Sequence, residues 1–317
     1  MTANFADRLF ARVRQTNSRL CVGLDPDIAC FPTALLRRFS LVPDSWAQPE
    51  NAERIGECIE AFCHEILSAT HDLVCAVKPQ SAHFEAYGHH GLRALERVCL
   101  AARERGLPVV MDAKRNDIGS TAARYARTFL GPDTGPDQAA FACDALTVTP
   151  FLGEDGIKPF VDACAANGKG LFILVKTSNP SGAQVQDLQI AETGETVAER
   201  LAKMVDEWGS HDNLIGESGY SAVGAVIGAT KPESLPKLRA LMPRAPILMP
   251  GFGAQGAGAG GVRAAFDNEG LGAIVNSSRG IIYPCGPDEA DYFGKVREKA
   301  VAARDELNRV IAEVRIG

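Results

Sequence analysis

Apolar runs of strand length recur along the whole chain, at 20–24, 73–78, 108–114, 145–148, 171–175, 222–227, 246–249 and 273–276. They are near-continuous rather than alternating, the pattern of parallel strands buried on both faces. Helix-like segments lie between most of them, at 52–69, 91–105, 120–130, 157–167, 196–208 and 232–241, and a long charge-laced one, 288–314, closes the chain. Strand–helix alternation predicts βαβ crossovers. Eight such strands predict a (β/α)8 TIM barrel, with an open doubly wound sheet as the alternative.

Two stretches exceed a minimal barrel. Residues 26–51, rich in Pro, read as an elaborated loop after the first strand, and 181–220 as a helix with polar connections before the sixth. Neither these nor the short Gly/Pro/Asp loop 131–138 reads as a linker. Residues 1–317 are therefore expected to form a single α/β barrel domain with extended loops, although that length would allow about two domains.

Composition then narrows the function classes. Hydrophobic residues make up 46% and charged residues 23%, as in soluble globular proteins. Lys and Arg number 33 against 39 Asp and Glu, a formal net charge of -6, which lacks the basic excess of nucleic-acid and membrane-surface binders. No apolar run reaches the roughly 18 residues of a membrane span. Residues 1–14 alternate charge with small apolar residues and show no secretory h-region. The nine cysteines are scattered, without a Cys-x-x-Cys pair, and sit between apolar neighbours as in Leu20-Cys21-Val22. They read as reduced core residues of a cytoplasmic protein.

The chemistry gathers at the C-terminal ends of the apolar runs. The first ends at Asp25 and the second at Lys78, and the third carries Asp112 and Lys114. The fifth leads into Lys176-Thr177-Ser178-Asn179, the seventh into Gln255 and the eighth into Arg279. In a barrel this face holds the active site. Asp112 and Lys114, two apart on a strand, are expected to share a face, and charges inside a barrel need partners. A Lys114 flanked by Asp112 and a returning Asp117 would be kept protonated, which makes it a proton donor and a poor Schiff-base nucleophile. A structural ion pair capping the barrel is the alternative for the same residues.

Residues 251–256 spell G-x-G-x-x-G. A dinucleotide site is weakened by the late position, by the poor helix formers at 257–261, and by having only Glu269 as a loose match to the distal acid. After a seventh barrel strand, such a loop joins the loop after strand eight in a phosphate site. Arg279 would supply a planar donor fork and Gln255 a neutral donor. No zinc- or calcium-site spacing and no G-x-S-x-G elbow occurs. The sequon Asn276-Ser277-Ser278 is discounted because it ends an apolar strand.

The segment Asp112-Ala113-Lys114-Arg115-Asn116-Asp117-Ile118, with Thr121, resembles the catalytic strand of the orotidine 5′-phosphate decarboxylase family. Gly23-Leu24-Asp25, Val77-Lys78, Thr177-Ser178-Asn179-Pro180, residues 249–255 and Ser278-Arg279-Gly280-Ile281-Ile282-Tyr283 resemble further family motifs, in the family's order. The long loops are similar to those of its longer bacterial branch, and Gly119 departs from the Pro of many members. The resemblance implies conversion of orotidine 5′-phosphate to uridine 5′-phosphate and CO2 without metal or organic cofactor. It implies Lys114, Asp112 and Asp117 as catalytic residues. Asp25 and Lys78 would contact ribose hydroxyls, Ser178 the pyrimidine amide edge, and Gln255 and Arg279 the phosphate, with Pro250 and Thr121 also at the substrate. It further implies a two-fold homodimer in which Asp117 and Thr121 enter the partner's site. A sugar-phosphate barrel enzyme using a metal, a Schiff-base aldolase using Lys114, Lys78 or Lys176, and a nucleotide-binding module without turnover remain the alternatives.

Overall fold

Eight short strands carry the architecture: β1 (Leu20–Leu24), β2 (Ala76–Pro79), β3 (Val110–Arg115), β4 (Ala145–Val148), β5 (Gly170–Lys176), β6 (Val223–Ile227), β7 (Ile247–Met249) and β8 (Ala273–Ser277). The computed structural model describes residues 3–42, 46, 48–135, 138–252 and 259–314. All neighbouring strands pair in parallel, in the order β2-β1-β8-β7-β6-β5-β4-β3. Parallel bridges Val77–Val109 and Gln80–Asp112 join the two remaining edges. The sheet therefore closes into a (β/α)8 barrel, and the open doubly wound alternative falls. β1, β4, β6, β7 and β8 are buried throughout, and their sequences are apolar but for Thr147 in β4 and Asn276 and Ser277 in β8.

Helices Ala52–Thr70, Gly88–Glu104, Gly119–Leu130, Glu154–Asn167, Val197–Trp208 and Leu235–Leu241 fall in the connections between successive strands, and Tyr292–Val314 packs after β8. Local signals set their ends. Thr196 accepts from Glu199 N–H at 3.2 Å while the Glu199 carboxylate accepts from Thr196 N–H at 3.3 Å, a reciprocal cap that starts Val197–Trp208. The described part of the β7–β8 connection is a 3-10 turn, Ala259–Ala265, rather than an α-helix, in keeping with its glycines. The loop after β1 contains a short helix, Thr33–Arg38.

One long helix has no counterpart in the sequence reading. Phe5–Thr16 is capped by Asn4, whose side chain accepts from Ala6 N–H at 2.7 Å. Its Phe5, Leu9, Phe10 and Val13 form one apolar face. That face packs with Cys21, Val110, Ala145, Phe172 and Ile274, the inward residues at the starts of the strands. Phe5 lies so close to Gly170 that a Cβ there would be 2.1 Å from its ring. Charge fixes the helix laterally, through Arg8–Asp144 at 2.8 Å and through Asp7, which accepts from the N–H groups of Glu217 and Ser218 at 3.0 and 2.8 Å. The helix thus plugs the N-terminal mouth with apolar groups, and polar groups inside the barrel are confined to the opposite mouth. All nine cysteines are free thiols and seven are buried. No helix among the described residues is long and apolar enough to cross a membrane.

Candidate active site

The strand pleat assigns the upper lumen. Two residues beyond the inward apolar positions Ala76, Val110, Ala145, Phe172 and Ile274 stand Lys78, Asp112, Thr147, Leu174 and Asn276. All five line a cavity of about 410 Å³ at the C-terminal mouth. Asp25, Gln80, Lys114, Ser178, Pro250, Phe252, Ser278 and Arg279 complete much of its wall, with Val226 and Leu248 adding apolar surface.

Asp112 is the centre of this wall. Its Oδ1 accepts from Lys114 Nζ at 2.6 Å and from Thr147 Oγ1 at 2.9 Å. Its Oδ2 accepts from Lys78 Nζ at 2.6 Å and from Gln80 Nε2 at 3.0 Å. Four donors fill the roughly four lone-pair positions of a carboxylate. Burial works to raise the Asp112 pKa, but the Lys78 and Lys114 ammonium groups outweigh it and hold the carboxyl well below the usual carboxylate range. Burial likewise works to lower the Lys78 pKa, and the Asp112 and Asp25 carboxylates overcome it, so the Lys78 ammonium is held above its ordinary value. A protonated, ion-paired Lys78 is unsuited to Schiff-base chemistry.

Lys114 reaches this carboxylate by a different route from the one its spacing suggests. β3 loses register with β4 between Met111 and Arg115, and Lys114 itself adopts a left-handed backbone with φ 46°. The side-chain convergence comes from that irregular turn and not from a regular pleat. Asp117 does not return to Lys114 within its own chain. Its carboxylate accepts from Ile118 N–H at 2.8 Å, and neither Asp117 nor Thr121 lines the cavity.

The remaining positions are set by close approaches. An added Cβ at Gly23 would lie 1.8 Å from Ser278 Oγ, and one at Gly228 would lie 2.6 Å from Ser178 Cα. Only glycine lets those two loops approach β1 and β6 so closely. The Tyr283 hydroxyl donates to Asp25 C=O at 2.9 Å and accepts from Asp27 N–H at 2.7 Å, tying the β1 loop to the segment after β8. Asp25 Oδ1 and Asn276 Oδ1 are buried without a hydrogen-bond partner. Unpaired buried acceptors in a cavity wall suit ligand donors such as hydroxyls.

Of the ten residues singled out in the sequence, Asp25, Lys78, Asp112, Lys114, Ser178, Pro250 and Arg279 come together in the cavity. Gln255 lies outside the described residues. Lys176 is buried against Asp187 and does not line the cavity. Gln80, Thr147 and Asn276 were missed; the i+2 step from an inward apolar residue would have found Thr147 and Asn276. Among the described residues, no group of three or more His, Cys, Asp or Glu side chains is placed to hold a metal ion.

Residues 18–290 match the model of the orotidine 5′-phosphate decarboxylase / HUMPS family. The chain is 42% identical over 310 residues to an orotidine 5′-phosphate decarboxylase of Rhodopirellula baltica, covering 96% of this chain and 98% of that one. It is 43% identical over 309 residues to that of Deinococcus radiodurans, covering 97% and 98% of the two chains. It is also similar to the solved structure of Leishmania donovani OMP decarboxylase, with a TM-score of 0.71 and 29% identity over 99% of this chain and 100% of that one.

Proposed function

The chain belongs to the orotidine 5′-phosphate decarboxylase / HUMPS family and is a carboxy-lyase of pyrimidine biosynthesis, and from that premise we propose that it converts orotidine 5′-phosphate to uridine 5′-phosphate and CO2 with Lys114 as the proton donor and no cofactor. The observation that carries the reading is Asp112, saturated by four donors and holding the Lys114 ammonium at 2.6 Å inside the cavity. The carbon–carboxylate bond breaks, its electron pair stays on the ring carbon, and CO2 leaves. The Lys114 ammonium stabilises the developing negative charge and gives its proton to that carbon. The Lys114 side chain is 46% exposed, so it recovers a proton from water when product leaves. Asp112 orients Lys114 and faces the departing carboxylate.

The rest of the wall holds the nucleotide. Asp25, with its unpaired Oδ1, and Lys78 take ribose hydroxyls, Ser178 the pyrimidine amide edge, and Pro250 packs beside it. Arg279 holds the phosphate, together with Gln255. Binding energy from the phosphate, far from the reacting carbon, helps to organise the site for the transition state.

Each site is completed by a second copy of the chain. Asp117 and Thr121 lie outside their own cavity, and Ile118, Phe151 and Leu152 nearby are exposed apolar residues that a partner would cover. In a two-fold homodimer, Asp117 and Thr121 enter the partner's site reciprocally. The enzyme acts in the cytoplasm, on a small-molecule nucleotide, without nucleic acid or membrane. The test is loss of substrate absorbance on adding orotidine 5′-phosphate to chelator-treated protein. Turnover is expected. Activity that disappears with chelator and returns with magnesium would transfer the reading to a metal-dependent sugar-phosphate enzyme of the same family.

A further inference from the structure

Thr147 stands on β4 inside the barrel and is 1% exposed. A hydroxyl has one hydrogen to give and two lone pairs. Both lone pairs of Thr147 are taken by backbone donors, Ala113 N–H at 3.1 Å and Lys114 N–H at 3.0 Å. Its single hydrogen goes to Asp112 Oδ1 at 2.9 Å. The two N–H groups belong to the stretch where β3 loses register with β4, so the ladder does not supply their acceptors. The same stretch holds Lys114 at φ 46°, a backbone conformation that few non-glycine residues adopt. Arg115 grips the other side of this turn by donating to Ala113 C=O at 3.2 Å.

We propose that Thr147 is a positioning residue for the decarboxylation: one hydroxyl clasps the Ala113–Lys114 turn and the Asp112 carboxylate together, and so sets where the Lys114 ammonium stands. The proposal rests on the decarboxylase reading. The clasp's direct contacts are all at the reacting end of the site, and none is to a group assigned to ribose or phosphate. Its loss therefore falls on kcat and not on nucleotide affinity.

The test compares Thr147→Ser, Thr147→Val and Thr147→Ala for kcat and KM with orotidine 5′-phosphate, and for uridine 5′-phosphate affinity by calorimetry. Serine keeps the hydroxyl, and its kcat is expected within about threefold of wild type. Valine and alanine are expected to lose about ten- to a hundredfold in kcat, the scale of one hydrogen bond to a charged group. KM and product affinity should change by less than about threefold in all variants. If Thr147→Val does not fold, the Ser and Ala variants decide, because both lack the methyl and differ by one oxygen. Equal kcat for Ser and Ala overturns the proposal, as does a loss confined to KM. Unfolding of both Val and Ala beside a folded, active Ser also overturns it, since the hydroxyl would then serve only the fold. Wild-type protein inert towards orotidine 5′-phosphate sinks the decarboxylase reading and the proposal with it.

Discussion

Replacing Asp112 by Asn keeps the volume and removes one charge from a carboxylate that accepts from four donors. An amide has one acceptor oxygen, so one side of the group must turn an N–H toward two existing donors. Toward Lys78 and Gln80 this would leave an ammonium that is only 4% exposed without its carboxylate. Toward Lys114 and Thr147 it leaves an ammonium whose side chain is 46% exposed and can swing into water. The amide is therefore expected to keep its oxygen on Lys78 and to release Lys114. Breaking a buried pair outright costs about 3–5 kcal/mol. Here Lys78 retains a neutral acceptor and the Asp25 carboxylate, so about 2–3 kcal/mol is expected in urea unfolding. The kinetic loss is larger in consequence, because the proton donor has lost its anchor. Removing a preorganised electrostatic group typically costs about 100- to 1,000-fold in kcat, and that range is expected in a spectrophotometric assay. KM should stay level or fall, since a negative charge facing the substrate carboxylate has gone. A folded Asp112→Asn enzyme with kcat within about threefold of wild type would refute the reasoning.

Arg279→Ala is expected to lower kcat/KM by about 1.5–3 kcal/mol of binding, or roughly 10- to 150-fold, with the nucleotide and hardly at all with the phosphate-free nucleoside. Equal losses on both substrates would make Arg279 structural. Lys114→Ala and Asp117→Ala chains, each inactive alone, should regain about a quarter of wild-type activity when unfolded and refolded together. Random pairing makes roughly half the dimers mixed, and each mixed dimer has one intact site. No recovery would mean that Asp117 serves its own chain, and a monomer by light scattering would end the idea sooner. Burial pushes the Cys21 and Cys143 thiols from 9.0 up to about 12. Their stabilisation is complete below about pH 9 and is lost as the pH rises toward 12, because the unfolded thiols ionise first. Urea-unfolding free energy should fall by about 1.4 kcal/mol per pH unit for each such cysteine above pH 9, and a flat profile from pH 8 to 10.5 would contradict it.

The strands were legible because a parallel barrel buries both faces, and unbroken apolar runs such as 171–175 and 20–24 have few other uses. Charged ends on several runs were legible as a site because the barrel gathers strand ends at one mouth. The plug helix Phe5–Thr16 was not, although Phe5, Leu9, Phe10 and Val13 carry the helical period, because Asp7, Arg8, Arg12 and Arg14 alternate with them and lower the apolar content of the segment. Thr147 and Asn276 were hidden because the i+2 step that finds them needs the inward face of the strand to be known first, and a strand buried on both faces does not mark it. Lys114 was put at the right carboxylate by the wrong route, since no spacing rule announces a left-handed residue in a strand. Asp117 was placed beside Lys114, a position that its own chain does not provide.

Several departures from local preference meet at one end of the barrel. Lys114 holds φ 46°, Gly23 and Gly228 permit approaches that any side chain would block, and Asp25 Oδ1 and Asn276 Oδ1 stay unpaired. All five lie at the C-terminal mouth; at the N-terminal mouth the close approach of Phe5 to Gly170 and the left-handed Asn17 that caps the plug helix serve packing. A chain selected only for stability would have no reason to collect strain and open acceptors at one mouth. The cost is borne where a ligand can repay it, by donating to those acceptors and by using the ammonium that the strained turn presents. The asymmetry between the two mouths therefore follows from placing the chemistry at one end of a closed sheet and the packing that sustains it at the other.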